Sequence, residues 1–200
     1  LALTDHDVLL GLPAARKAAL EHGIHFVDGV EVSVSWDWLT IHVVGLNFDP
    51  DNAELQQGLA SVRSGRMRRA EAMAADLLRA GIADSLPGAL AFASNKDMIS
   101  RTHFARFLVE SGKVKDIKTA FKKYLVKGKP GYVPHQWADL NDVVNWIRNA
   151  GGRAVLAHPG RYQIGKARMQ RLLVDFKAAG GEAVEVVTSN HTPEHVIQFT

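Results

Sequence analysis

Cysteine is absent from the 200 residues, which excludes a disulfide scaffold and thiolate metal ligands. Any metal in this chain has to be held by His, Asp and Glu. The absence also fits a reduced compartment. No run of about 18 apolar residues occurs, and the N-terminus lacks a basic stretch leading into an apolar one, so neither a membrane-spanning helix nor a secretory signal is expected. There is no internal repeat and no low-complexity tract. Net charge is low, only +3, which argues against a protein that binds nucleic acid by bulk charge. These absences predict a soluble cytoplasmic protein with no membrane role. What is present is apolar mass: 46% hydrophobic residues exclude disorder and suffice for one domain with a full core, or one domain carrying a substantial insertion.

The chain opens on Ala2-Leu3-Thr4-Asp5-His6-Asp7, which reads as the end of a buried strand running into a loop with a carboxylate, an imidazole and a second carboxylate. That is a ligand set suited to a hard or borderline divalent cation. Asp and His also form turns and cap helices after strands, so the rest of the chain has to supply the other ligands. Leu12 to His22 has helical spacing, with Pro13 in the first turn and Gly23 past the end. Two short strand pieces follow, Ile24 to Val27 and Gly29 to Val34, then a strand from Leu39 to Leu46.

Beyond residue 48 the pattern becomes helical and charged. Helices are expected over Pro50 to Ala80, Leu86 to Ala93, Thr102 to Ser111 and Ile117 to Val126, closed by Gly128-Lys129-Pro130-Gly131. Strand and helix then alternate again: a helix over Leu140 to Ala150, a strand over Arg153 to Ala157, a helix over Met169 to Ala179, a strand over Ala183 to Val187 and a helix from Pro193. The expected organisation is an α/β domain in two parts, 1–48 and 135–200, interrupted by a helical insertion over 49–134.

His6, Glu31, His42 and His158 each lie on or just after an expected strand, with Asp5 alongside. In β/α folds the side chains at the carboxyl ends of strands converge on one face, where active sites form. A single strand His is usually a hydrogen-bonded core residue, but several at successive strand ends point to a metal site. Glu31 can bridge two cations through its two oxygens. A second constellation lies in the insertion, where Ser100-Arg101-Thr102-His103 opens a helix and Lys122, Lys123, Lys127 and Lys129 follow; Arg161 comes after His158-Pro159-Gly160. A helix N-terminus beside an Arg fork offers a phosphate backbone N–H groups, dipole and charge together. The plainer reading is a capped helix with solvated lysines, which we favour for the lysines; for Arg101 and His103 we favour phosphate binding.

The pieces Leu3-Thr4-Asp5-His6-Asp7, Gly29-Val30-Glu31-Val32-Ser33, Ile41-His42-Val43-Val44-Gly45, Ser100-Arg101-Thr102-His103-Phe104-Ala105 and Ala157-His158-Pro159-Gly160 resemble the PHP (polymerase and histidinol phosphatase) metallo-phosphoesterases of the amidohydrolase superfamily. Within it they are most similar to the bacterial subgroup of 3′,5′-nucleotide bisphosphate phosphatases and 5′–3′ exoribonucleases. The resemblance implies a distorted β/α barrel with a helical cap insertion and two or three divalent ions, manganese foremost, with zinc, iron or magnesium as alternatives. It implies His6, Glu31, His42 and His158 as metal ligands, with Asp5 next to the cluster; on the residues themselves we expect Asp5, His6 and Glu31 to be catalytic and Ser100, Arg101, His103, Lys129 and Arg161 to bind phosphate. The His-x-His strand with which family members begin and the Asp-x-His pair near their end are not found here, so the segment is expected to lack both barrel ends.

The function these residues predict is hydrolysis of phosphate from a small nucleotide such as a 3′,5′-bisphosphate, or from short RNA 5′ ends, without an obligate protein partner. The alternatives are a non-catalytic PHP module and a nucleic-acid-binding protein working through Arg63 to Arg69 and the lysines. Metal-dependent turnover separates the first alternative from hydrolysis, and steep salt dependence without a need for metal marks the second.

Overall fold

The computed structural model describes residues 1–189 and 191–200. Two compact units are present, one formed by Leu1–Val62 with Gln136–Thr200 and the other by Arg63–His135.

Among the described residues, the first unit is built on a mixed sheet of six strands. Strand β1 (Ala2–Leu3) runs parallel to β2 (Val27–Trp36), with α1 (Leu12–Glu21) as the crossover. Strand β3 (Leu39–Leu46) returns antiparallel to β2, and β5 (Arg153–Leu156) is antiparallel to β3. Strand β6 (Ala183–Val184) lies parallel to β5, and the short β4 (Ala138–Asp139) pairs with the far end of β2. Helices α6 (Leu140–Asn149) and α7 (Lys166–Ala179) make the β4-to-β5 and β5-to-β6 connections. A further helix follows β6.

The core follows from the two-residue period of a strand. Val30, Val32 and Val34 of β2 and Ile41 and Val43 of β3 are fully buried and pack with Val143, Val144 and Ile147 of α6 and Leu172 and Phe176 of α7. Their alternates, Glu31 and Ser33 on β2 and His42 on β3, therefore project from the opposite face. Where two short strand pieces are expected before residue 35, a single strand runs from Val27 to Trp36, and Ile24 to Phe26 lie outside it. Gly29 sits inside that strand because β1 passes close by: a Cβ there would stand 2.7 Å from the Leu3 carbonyl oxygen. Strand β6 is likewise shorter than expected, ending at Val184.

The β2–β3 hairpin turns on Asp37 and Trp38, both at positive φ (46° and 64°), the backbone of a two-residue turn that usually selects Asn or Gly. Arg168 and Arg171 of α7 bind the Asp37 carboxylate and lie over the Trp36 ring, whose indole N–H donates to Asp175 at 2.8 Å. Contacts of this kind hold a strained turn in place.

Helix α2 (Ala53–Arg79) begins in this unit, where Leu55, Leu59 and Val62 join the sheet core. Its remainder enters the second unit with α3 (Ser85–Leu90), α4 (Arg101–Glu110) and α5 (Ile117–Ala120), the last continued by a wider π turn over Phe121–Leu125. Met73, Leu77, Phe104, Leu108 and Leu125 form the centre of that unit. The final helix of the first unit, α8 (Pro193–Phe199), is capped by Thr192. No helix among the described residues is long and apolar enough to cross a membrane.

Candidate metal centre

Histidine 6 follows β1, and a single parallel bridge to Glu31 extends the β1–β2 pairing to it. The bridge is made by Glu31 N–H donating to the Asp5 carbonyl at 3.1 Å and Asp7 N–H donating to the Glu31 carbonyl at 2.9 Å. Asp7, at φ 53° and fully buried, accepts the Ser33 N–H at 2.8 Å and the Ser33 hydroxyl at 3.0 Å. The second carboxylate of the Asp5-His6-Asp7 loop thus clamps the loop onto β2. Glu31 and His42 meet across the hairpin because Ser33 pairs with His42 and Glu31 with Val44, making the two functional side chains diagonal neighbours on one face. His42 stands inside an antiparallel strand, not at a carboxyl end, so hairpin register brings it to the site. His158 arrives from β5 on the other side of β3, with Ala157 between it and the strand end.

These four side chains converge. Glu31 Oε1 lies 2.8 Å from His42 Nδ1 and 2.9 Å from His158 Nε2, and those two ring nitrogens are 3.2 Å apart. The other carboxylate oxygen, Oε2, faces His6 Nε2 at 3.8 Å. Each oxygen of Glu31 therefore addresses a different histidine set. Burial acts to raise the Glu31 pKa, but hydrogen bonds to His158 and His42 and the charges of His6 and His42 outweigh it and hold the carboxyl far below the usual range. Two imidazole nitrogens directed at each other and at one carboxylate oxygen are an arrangement that a cation between them satisfies. His6, Glu31 and His42 alone bring their donor atoms within 4.8 Å of one another, and His158 joins through its short contacts to Glu31 and His42. The donor set fits a divalent metal.

The loop bearing His158 is itself tightly held. His158 adopts a left-handed conformation (φ 31°), with its N–H donated to Glu185 Oε2 at 2.7 Å and Gly160 N–H donated to His191 Nε2 at 3.1 Å. The Tyr162 hydroxyl donates to the Ala157 carbonyl at 2.9 Å and accepts the His42 N–H at 2.8 Å.

Over its whole length the chain is similar to a 3′,5′-nucleoside bisphosphate phosphatase from Chromobacterium violaceum, 55% identical over 199 residues, or 70% of that protein's length. It is 41% identical to a 5′–3′ exoribonuclease from Haemophilus influenzae over 194 residues, 97% of this chain and 70% of the relative. Among solved structures, an amidohydrolase from Chromobacterium violaceum, with bound sulfate and no metal, superposes with a TM-score of 0.91 at 55% identity, covering 100% of this chain and 70% of that one. A Bifidobacterium adolescentis protein named as a metal-dependent phosphoesterase superposes at 0.81 with 25% identity, covering 99% and 70%. No family model matches the chain. The chain belongs to the PHP phosphoesterase family.

As a PHP phosphoesterase it is a hydrolase. Of its candidate residues, His6, Glu31, His42 and His158 form the cluster just described. Asp5 is exposed, with Oδ2 only 3.2 Å from where a Cβ on Gly11 would sit. Arg161 is exposed on the turn after His158. In the helical unit, Ser100 and His103 cap α4: Ser100 N–H donates to His103 Nδ1 at 3.0 Å. That bond makes Nδ1 an acceptor and leaves the ring proton on Nε2, a neutral form that burial, and then Arg106, favour by lowering the His103 pKa. Arg101 Nη1 donates to the Leu125 carbonyl at 3.4 Å, and Lys129 is exposed on the turn that follows. Arg69, visible in the sequence only as part of a basic run, is half-buried and donates to the Val133 carbonyl; burial, then the charge of Arg101, lowers its pKa to about 10. Tyr162 and Glu185 also escaped the sequence reading as site residues, whereas Asp7, read there as part of a ligand set, bonds to Ser33. Neither Tyr162 nor Glu185 had a signal beyond closeness to a strand end.

Proposed function

We propose that this PHP phosphoesterase removes a phosphate from a 3′,5′-bisphosphate nucleotide by metal-assisted hydrolysis, within a distorted β/α barrel into whose sequence the helical unit is inserted. The observation that carries the reading is the Glu31 carboxylate, whose two oxygens face separate histidine sets. His6 on one side and His42 with His158 on the other would hold two divalent cations, with manganese our first choice and a third ion admissible, and Glu31 would bridge them. Bound there, such cations supply positive charge to the phosphoryl oxygens and acidify the attacking water. Glu31 holds the anionic charge that keeps the imidazoles directed inward, and Asp7 fixes the loop through Ser33 so that His6 does not swing away. Asp5, exposed beside His6, is the candidate to exchange a proton with solvent.

Arg101, with its guanidinium, and His103, with its Nε2–H, are assigned to a phosphate of the substrate, with Ser100 and Lys129 as supporting donors from the same unit, and Arg161 is proposed as a phosphate donor of the sheet unit. The relatives named as bisphosphate phosphatase and exoribonuclease support a nucleotide substrate, and the second of them favours short RNA 5′ ends as the other substrate to test. If Arg101 binds a phosphate that does not react, its binding energy lowers the barrier at the one that does. We therefore expect Arg101→Ala to lower kcat/KM for 3′,5′-bisphosphoadenosine about tenfold to hundredfold, the worth of a charge-assisted hydrogen bond, and to leave hydrolysis of nitrophenyl phosphate nearly unchanged. Equal losses on both would move Arg101 to the scissile phosphate. No phosphate release from either by the parent enzyme supplied with manganese would overturn the function.

A further inference from the structure

In an antiparallel ladder, residues forming a hydrogen-bonded pair exchange two N–H to carbonyl bonds. The β3–β5 register runs from Leu46↔Arg153 to Val43↔Leu156, so the next pair is His42 with Ala157. One bond of that pair is direct, Ala157 N–H to the His42 carbonyl at 3.1 Å. The other is interrupted: the Tyr162 hydroxyl stands between its partners, accepting the His42 N–H at 2.8 Å and donating to the Ala157 carbonyl at 2.9 Å. A side-chain hydroxyl has been inserted into the ladder at the point where β3 delivers His42 and β5 delivers His158.

The insertion has a geometric consequence. An N–H and a carbonyl that would otherwise approach to about 2.9 Å are each bonded to an oxygen between them, so the strands open on one side. The two imidazoles borne at that opening point their nitrogens at the same carboxylate oxygen of Glu31, and the His158 ring packs edgewise on the Tyr162 ring with centroids 5.6 Å apart. His158 leaves the ladder in its left-handed conformation immediately afterwards.

We propose that Tyr162 is a positioning residue that sets the separation of His42 and His158 for metal binding by holding the ladder open. The inference rests on the metal-dependent reading above. Tyr162 touches neither metal nor substrate in this role; it acts through the two backbones. Removing its hydroxyl leaves a partly buried N–H and carbonyl either unbonded or free to close on each other, and either outcome displaces the two histidines.

The test is Tyr162→Phe, which keeps the ring and deletes only the wedge. Titration of the metal-free proteins with manganese and with zinc should show binding about tenfold to hundredfold weaker in the variant, the loss typical when a partner behind the ligands is removed. Turnover should recover at high metal concentration, with KM for nitrophenyl phosphate close to the parent value. The double variant with His42→Ala should bind metal no more weakly than His42→Ala alone, because the hydroxyl then has one ligand fewer to place. Parental metal affinity in Tyr162→Phe, or additive losses in the double variant, would overturn the inference. So would a Tyr162→Phe protein that does not fold without metal, which would make the residue a structural one. A parent that binds neither manganese nor zinc would instead overturn the metal reading itself.

Discussion

Glu31 carries more of the proposed chemistry than any other side chain. It is held ionised in a half-buried place by hydrogen bonds and charge from three imidazoles, which outweigh its burial. Replacing it with Gln keeps the shape and removes the charge, putting an amide N–H donor where an acceptor is needed. We expect Glu31→Gln to lose its metal and more than about a hundredfold of its activity, beyond the loss typical of an outer partner, with the fold intact by circular dichroism. Metal content by elemental analysis and phosphate release from one preparation decide it. An active variant with normal metal content would leave Glu31 as no more than a hydrogen-bonded strand residue.

The short parallel pairing of β1 with β2 shows how an element serves the site. Only Ala2 and Leu3 pair regularly, opposite Val27 and Asp28, yet the His6 loop hangs from them. The close approach depends on Gly29, where an added methyl would meet the Leu3 carbonyl oxygen at 2.7 Å and the Thr4 side chain at 2.8 Å. Backbone cannot yield as a flexible side chain can, so Gly29→Ala should push β1 outward. A loss of roughly 1 to 3 kcal/mol in stability is expected, the usual cost of overpacking. Weaker metal binding should accompany it, because His6 moves with the strand. Urea unfolding and a metal titration on one variant check both, and an unchanged midpoint with unchanged affinity would show that β1 adapts without cost.

Across the molecule, a cation that binds the folded sheet unit and not its unfolded chain must stabilise it. At a free concentration about a hundred times the dissociation constant the gain is about 2.7 kcal/mol. Adding manganese to the metal-free protein should therefore raise the melting temperature of the unit bearing the ligands by several degrees, and a chelator should reverse the rise. The Glu31→Gln variant should show little of it. Scanning calorimetry with and without chelator measures this directly, and identical melting curves under both conditions would count against metal binding at this centre.

The periodic parts of the fold were readable in the order of residues. Helices α1, α6 and α7 and the strand from Leu39 follow from apolar spacing with Pro and Gly at the ends, which are local properties of the chain. The chemistry of the candidate ligands was also local, since with no cysteine present a metal site falls to His and carboxylate. What lay beyond the sequence depended on register and close approach. The extent of β2, which leaves out Ile24 to Phe26 and continues through Gly29 where β1 comes close, is set by pairing, and His42 reached the site through antiparallel pairing although it lies inside its strand. The turning of Asp7 onto Ser33 and the entry of the Tyr162 hydroxyl between His42 and Ala157 join residues 26 and 120 positions apart. Such bonds are fixed by how the strands pair and by the cost of leaving buried backbone groups unbonded, and no local pattern in the sequence encodes them.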